Sequence, residues 1–99
     1  MAEYQITYWR EIPSLVTARE GRHNTAKVEL PDRFQTAIDT AAMRSGLVGT
    51  DAYLDQWRRS PWVERAGEPS EVARLVAAEI QNEYTPERIR EIVRASAAE

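Results

Sequence analysis

At Leu30-Pro31 the apolar residues of this chain change their spacing. Before that point large apolar side chains alternate with polar ones, in Tyr4-Gln5-Ile6-Thr7-Tyr8-Trp9 and again in Thr25-Ala26-Lys27-Val28-Glu29-Leu30. A period of two turns every second side chain toward one face of a strand. After it, Phe34, Ala37, Ile38, Ala41 and Ala42 recur at helical spacing and form the stripe of a helix that buries one side. Strands followed by helices, rather than the two in alternation, specify an α+β fold.

The details follow from local chemistry. Tyr4, Ile6 and Tyr8 should face inward, Glu11-Ile12-Pro13-Ser14 reads as a turn, and Leu15 to Ala18 continues as a second strand. Gly21-Arg22-His23-Asn24 supplies a hairpin loop into the third, with Ala26, Val28 and Leu30 on one face. Pro31 opens the helix and Ser45-Gly46 stops it. Thr50 caps a shorter helix with Tyr53, Leu54 and Trp57 on its apolar side, ended by Ser60-Pro61. Trp62 to Ala66 is β-like and offers a fourth strand. From Ser70 the helical period returns with Val72, Leu75, Val76 and Ile80 inward. Thr85-Pro86 then starts a last helix carrying Ile89, Ile92 and Val93, which frays from Ala95. The expected architecture is a small three- or four-stranded sheet, an N-terminal meander, with about four helices packed on one face. All 99 residues belong to one domain, because the chain is too short for two cores.

Composition removes several classes of function. With no Cys there is no disulfide, thiolate metal site or cysteine nucleophile, and His23 is the sole His, so no cluster of imidazoles can form within one chain. His23 falls at a hairpin tip with Arg19 and Arg22, where a solvated loop accounts for all three. A net charge of -3 lacks the basic footprint that nucleic acid requires. No apolar run is long enough to span a membrane and no signal sequence stands at the start, so a cytoplasmic protein is expected. Glycines 21, 46, 49 and 67 build no phosphate-cradling loop, and no serine sits in a nucleophile elbow. Pairs such as Asp51 and Asp55, or Glu79 and Glu83, have the spacing of ordinary solvated helix faces. No catalytic residues, metal or cofactor are therefore expected.

One cluster stands out. Trp57-Arg58-Arg59-Ser60-Pro61-Trp62 gathers two Trp and two Arg, and Tyr8-Trp9-Arg10 repeats the pairing at a strand end. Such residues dominate binding hot spots, because they bury large area, keep a polar handle and stack as cation–π pairs. Trp9, Arg10, Trp57, Arg58, Arg59 and Trp62 are the candidate binding residues. The same letters also serve structure: Trp57 lies on an apolar stripe in a chain with a single Phe, and Arg58 and Arg59 are placed to cap helix carbonyls.

Several segments carry a resemblance: Tyr8-Trp9-Arg10-Glu11-Ile12-Pro13, Leu30-Pro31-Asp32-Arg33-Phe34-Gln35, Ala37-Ile38-Asp39, Ala41-Ala42-Met43-Arg44 and Asp51-Ala52-Tyr53-Leu54-Asp55-Gln56-Trp57-Arg58-Arg59. Over about residues 4–93 the chain resembles the small bacterial virulence factor family, and is similar to a segment of the larger staphylococcal conserved virulence factor C. That label describes a phenotype, not a reaction, and implies no catalytic residue or cofactor. Family members also stand beside one-carbon genes such as methylenetetrahydrofolate reductase, which implies an accessory role. Two functions remain open: a non-enzymatic module with a protein partner, or a small protein in which Arg10, Arg58 and Arg59 hold a phosphate, nucleotide or folate-like ligand.

Overall fold

The computed structural model of the protein describes residues 1–96. β1 (Ala2–Trp9), β2 (Ile12–Glu20) and β3 (Asn24–Glu29) form the antiparallel meander that the alternation predicts. Then come α1 (Asp32–Arg44), the five-residue α2 (Asp51–Asp55), short strands β4 (Trp57–Arg59) and β5 (Val63–Arg65), and the helices α3 (Pro69–Glu83) and α4 (Pro86–Ser96). The strands make one antiparallel sheet in the order β3-β2-β1-β4, with β5 also paired to β1. The α+β class is therefore the one that the change of spacing specifies.

The first hairpin turns at Arg10-Glu11, not over Glu11 to Ser14, because Ile12 pairs with Trp9 and β2 runs through Pro13. A bulge allows it. Tyr8 opposes Pro13 and Thr7 opposes Leu15, so Ser14 has no residue opposite, and a bulge beyond the reach of β3 is where a strand tolerates Pro. The bulge also puts Pro13 and Val16 on one side of the sheet, facing Tyr8 and Ile6.

The sheet gains an unforeseen strand on the free edge of β1. Trp57, Arg58 and Arg59, placed in a helix by their spacing, instead pair with Trp9, Tyr8 and Thr7. A helix as short as α2 has little intrinsic stability, while the edge of β1 presents a row of backbone groups that a strand satisfies. β5, the strand expected at Trp62 to Ala66, pairs antiparallel with Ala2 to Tyr4 on the same edge and needs no crossover. Between the two short strands, residues 60–62 oppose only Gln5 and Ile6, a one-residue excess. Ser60 bridges the break: its N–H donates to the Ile6 carbonyl at 2.9 Å, and its Oγ accepts the Ile6 N–H at 2.9 Å. Pro61, which has no N–H, sits where none is required.

α1 buries Phe34, Ala37, Ile38, Ala41 and Ala42, the full predicted stripe. α3 lies over β1, β2 and β3 and buries Val72, Ala73, Val76, Ala77 and Ile80. Leu75 is 44% exposed, contrary to expectation, since Ala73 and Ala77 turn toward the sheet and let the helix approach it closely. Leu54 is 63% exposed because α2 buries nothing. Thr50 does cap α2, accepting the Tyr53 N–H, and Thr85 caps α4 by accepting the Arg88 N–H at 3.2 Å. α4 packs against α1. It stays helical at Ala95 and Ser96, whose Oγ donates to the Ile92 carbonyl at 3.0 Å, so fraying does not begin at Ala95; residues 97–99 lie outside the described residues.

Trp9 is the largest fully buried side chain, although alternation with Tyr4, Ile6 and Tyr8 predicts the opposite face. The segment that follows α1 folds over it. Its ring lies 5.5 Å from that of Tyr53, and its Nε1 donates to the Tyr53 carbonyl at 3.0 Å, so burial leaves the indole N–H satisfied. Tyr4 and Ile6 pack against the same core. No helix of the described residues is long and apolar enough to cross a membrane.

Candidate functional site

β4 determines where the candidate arginines go. As a strand beside β1, it sends Arg58 opposite Tyr8, and the Arg58 guanidinium lies over the Tyr8 ring at 4.3 Å. Its Nε donates to the Arg10 carbonyl at 3.0 Å, while its terminal nitrogens make no hydrogen bond among the described residues. A second stack of the same kind comes from the junction of α3 and α4. There Arg88 lies 4.3 Å over the Tyr84 ring and donates from Nη1 to the Glu83 carbonyl at 3.3 Å. Tyr8, Arg58, Arg59, Tyr84 and Arg88 line a cleft of about 500 Å³ whose wall includes Ile92 and Ser60. Glu11 is the carboxylate at its edge. Burial holds the Tyr8 hydroxyl above its usual pKa; Tyr84 adds to this effect and Arg58 opposes it. The phenol therefore stays protonated at neutral pH and is available as a hydrogen-bond donor.

The six candidate residues do not form one patch. Arg58 and Arg59 are exposed on the cleft, and Arg59 makes no ion pair among the described residues. Trp57 packs edge-on against Tyr53, at 6.3 Å and 87°, and borders a shallow depression with Thr7, Arg58 and Arg59. Trp9 belongs to the core and offers no side-chain surface. Arg10 holds the hairpin tip in place: at φ 55° its N–H donates to the Gln56 carbonyl at 3.0 Å and its Nε to Gln56 Oε1 at 3.1 Å. Trp62 lies away from the cleft, where Arg19 stacks on it at 3.7 Å while reaching Glu3 at 3.4 Å.

Tyr84 and Arg88 are the residues that reading the sequence missed. Their spacing across Thr85-Pro86 is a helical i, i+4 pair, the same Tyr–Arg combination as at Tyr8 and Arg58, and that was the available signal. Only the topology brings the two pairs together. Among the described residues, three guanidiniums and two phenols against one carboxylate suit an anion, since charge-assisted hydrogen bonds from Arg are strong and directional. Among the described residues no three His, Asp or Glu side chains converge as a metal site.

The virulence factor family model matches residues 7–93, a span that contains the hairpin tip, β4, both Tyr–Arg stacks and all of the cleft. The chain belongs to the virulence factor family. No curated protein and no solved structure matches it.

Proposed function

We propose that this member of the virulence factor family is a non-enzymatic, cytoplasmic accessory module that grips an acidic segment of a partner protein in the cleft around Arg58. The observation that carries this reading is the pair of facing Arg–Tyr stacks with Arg59 between β4 and the α3–α4 junction. Guanidiniums held over phenol rings are preorganised, so little side-chain entropy is lost when a carboxylate arrives. Arg and Tyr are also the residues that concentrate binding energy at protein interfaces. The test is affinity capture from the native host with wild type, Arg58→Glu and Arg59→Glu, followed by binding measurements on the purified partner. Charge reversal at either position should weaken the complex about tenfold or more. Unchanged binding by both folded variants removes the cleft from the interface.

A second reading rests on the size of the cleft. About 500 Å³ lies within the range of small-ligand pockets, roughly 300–1,000 Å³. A phosphate, nucleotide or folate-like anion would then replace the acidic segment. Thermal shift against a panel of such anions separates the two, because ligand at 100 times its Kd adds about 2.7 kcal/mol of stability. A flat response to every anion at millimolar concentration leaves the protein partner as the occupant.

A further inference from the structure

The two helices that pack on each other present a second surface, lined by different residues from the cleft. Arg33, Thr36, Ala37, Thr40 and Arg44 of α1 lie along one helical stripe, and Pro86, Ile89, Arg90, Val93 and Arg94 of α4 along another. Together they line a groove of about 400 Å³. Its floor is apolar, made by Ala37, Ile89 and Val93, and among the described residues its only charged lining groups are the four arginines. On α4, Arg90 and Arg94 border the groove, whereas Glu87, Glu91 and Arg88 are absent from its lining, so no carboxylate of this helix faces it. Arg33 is engaged, donating to the Tyr84 and Gln81 carbonyls at 2.8 and 3.2 Å. Arg44, Arg90 and Arg94 make no ion pair among the described residues. A groove whose charged lining is all positive among the described residues, on a chain of net charge -3, is not a consequence of overall composition.

We infer that this groove binds an acidic amphipathic helix of a partner protein. A channel between two packed helices matches the shape of a third, whose apolar stripe would cover Ala37, Ile89 and Val93. Charge complementarity specifies the flanks, which must carry Asp or Glu opposite the arginines. The spread of positive charge favours a helix over a single headgroup. Arg33 and Arg44 are eleven residues apart on α1, about 16 Å at helical rise, so positive charge runs along the groove rather than converging on one point, as the flank of a helix requires.

The test uses the whole chain and a labelled peptide of about 18 residues, roughly five turns, with Leu along one stripe and Glu on both flanks. A second peptide carries Lys in place of every Glu. The Glu peptide should bind with a Kd below about 100 µM, and the Arg90→Glu, Arg94→Glu double variant should lose about tenfold or more in affinity. Arg74→Glu, on the exposed side of α3, should change it less than about twofold, as expected for a distant surface charge. Arg58→Glu should likewise leave it unchanged, so that failure of the groove and failure of the cleft are read separately. Three results overturn the inference: no binding at millimolar peptide, equal binding of the Lys peptide, or binding of phosphatidylglycerol vesicles or decanoate with none of the Glu peptide.

Discussion

α1 and the segment from Thr50 to Arg65 are held by different forces. α1 is secured by its own side chains, because Phe34, Ala37, Ile38, Ala41 and Ala42 form a continuous buried stripe that any helical arrangement of those letters would produce. The Thr50 to Arg65 segment buries little. It is held by a strand edge that belongs to another part of the chain, by the Ser60 bridge to Ile6, and by the hairpin tip clasped between Gln56 and Arg58. Where burial decides the conformation, local spacing is enough to read it. Where backbone pairing across a long separation decides, it is not.

Substitutions should reproduce that contrast. Phe34→Ala is expected to cost about 3–5 kcal/mol in denaturant unfolding, since the ring is fully buried and leaves a cavity. A loss under about 1 kcal/mol would mean the stripe of α1 is not what holds it. Ser60→Ala removes the acceptor of the Ile6 N–H and should cost about 1–3 kcal/mol. Its signature is local: amide exchange at Ile6 should accelerate while the amides of α1 stay protected. Uniform acceleration would show that edge and helix unfold as one unit.

Thr50→Ala takes the cap from a five-residue helix and should cost about 1 kcal/mol or less, detectable as faster exchange at Tyr53. Leu75→Ala should change stability by no more than about 0.5 kcal/mol because the residue sits on the exposed side of α3, although its letter is as apolar as that of Ile80.

The smallest effect is electrostatic. Arg65 holds Glu79 in a two-pronged pair at 2.8 and 2.9 Å, which pins β5 to α3 and keeps the Glu79 carboxyl below its ordinary value of 4.5. The folded state therefore favours the carboxylate, so the contribution of the pair is complete above that value and is lost as pH falls through the lower, folded one. Glu79 is exposed and Arg65 partly so, so the effect is slight and weakens with salt. Comparing wild type with Glu79→Gln in urea at neutral and acidic pH should show a small advantage for wild type that closes on acidification.

The residues themselves explain which features were legible. Leu30-Pro31, the α1 stripe, and the Thr50 and Thr85 caps are local signals, and each marks what the structure contains. Trp57-Arg58-Arg59 fits a helix as well as a strand, and only the open edge at Thr7 to Trp9 selects between them. Val72 and Val76 belong equally to a stripe with Leu75 and to one with Ala73 and Ala77; two alanines allowing close approach outweigh one large side chain. Alternation alone puts Trp9 on the wrong face because its cover, Tyr53, lies far along the chain. The cleft follows the same rule: Arg58 and Arg59 drew attention as letters, whereas Tyr84 and Arg88 acquire their place only through topology.

The late edge of β1 also bears on synthesis. A ribosome delivers the meander first, and its turns are short enough to close quickly, but the partners of Thr7 to Trp9 lie about fifty residues downstream at Trp57 to Arg59. Until they emerge, the strand that later becomes the middle of the sheet is a growing chain's outermost one, with a bare ladder of N–H and C=O groups beside Trp9. Such an edge is a template for pairing with any neighbouring chain, so the interval between translating the ninth residue and the fifty-ninth is the period in which this protein is most exposed to aggregation.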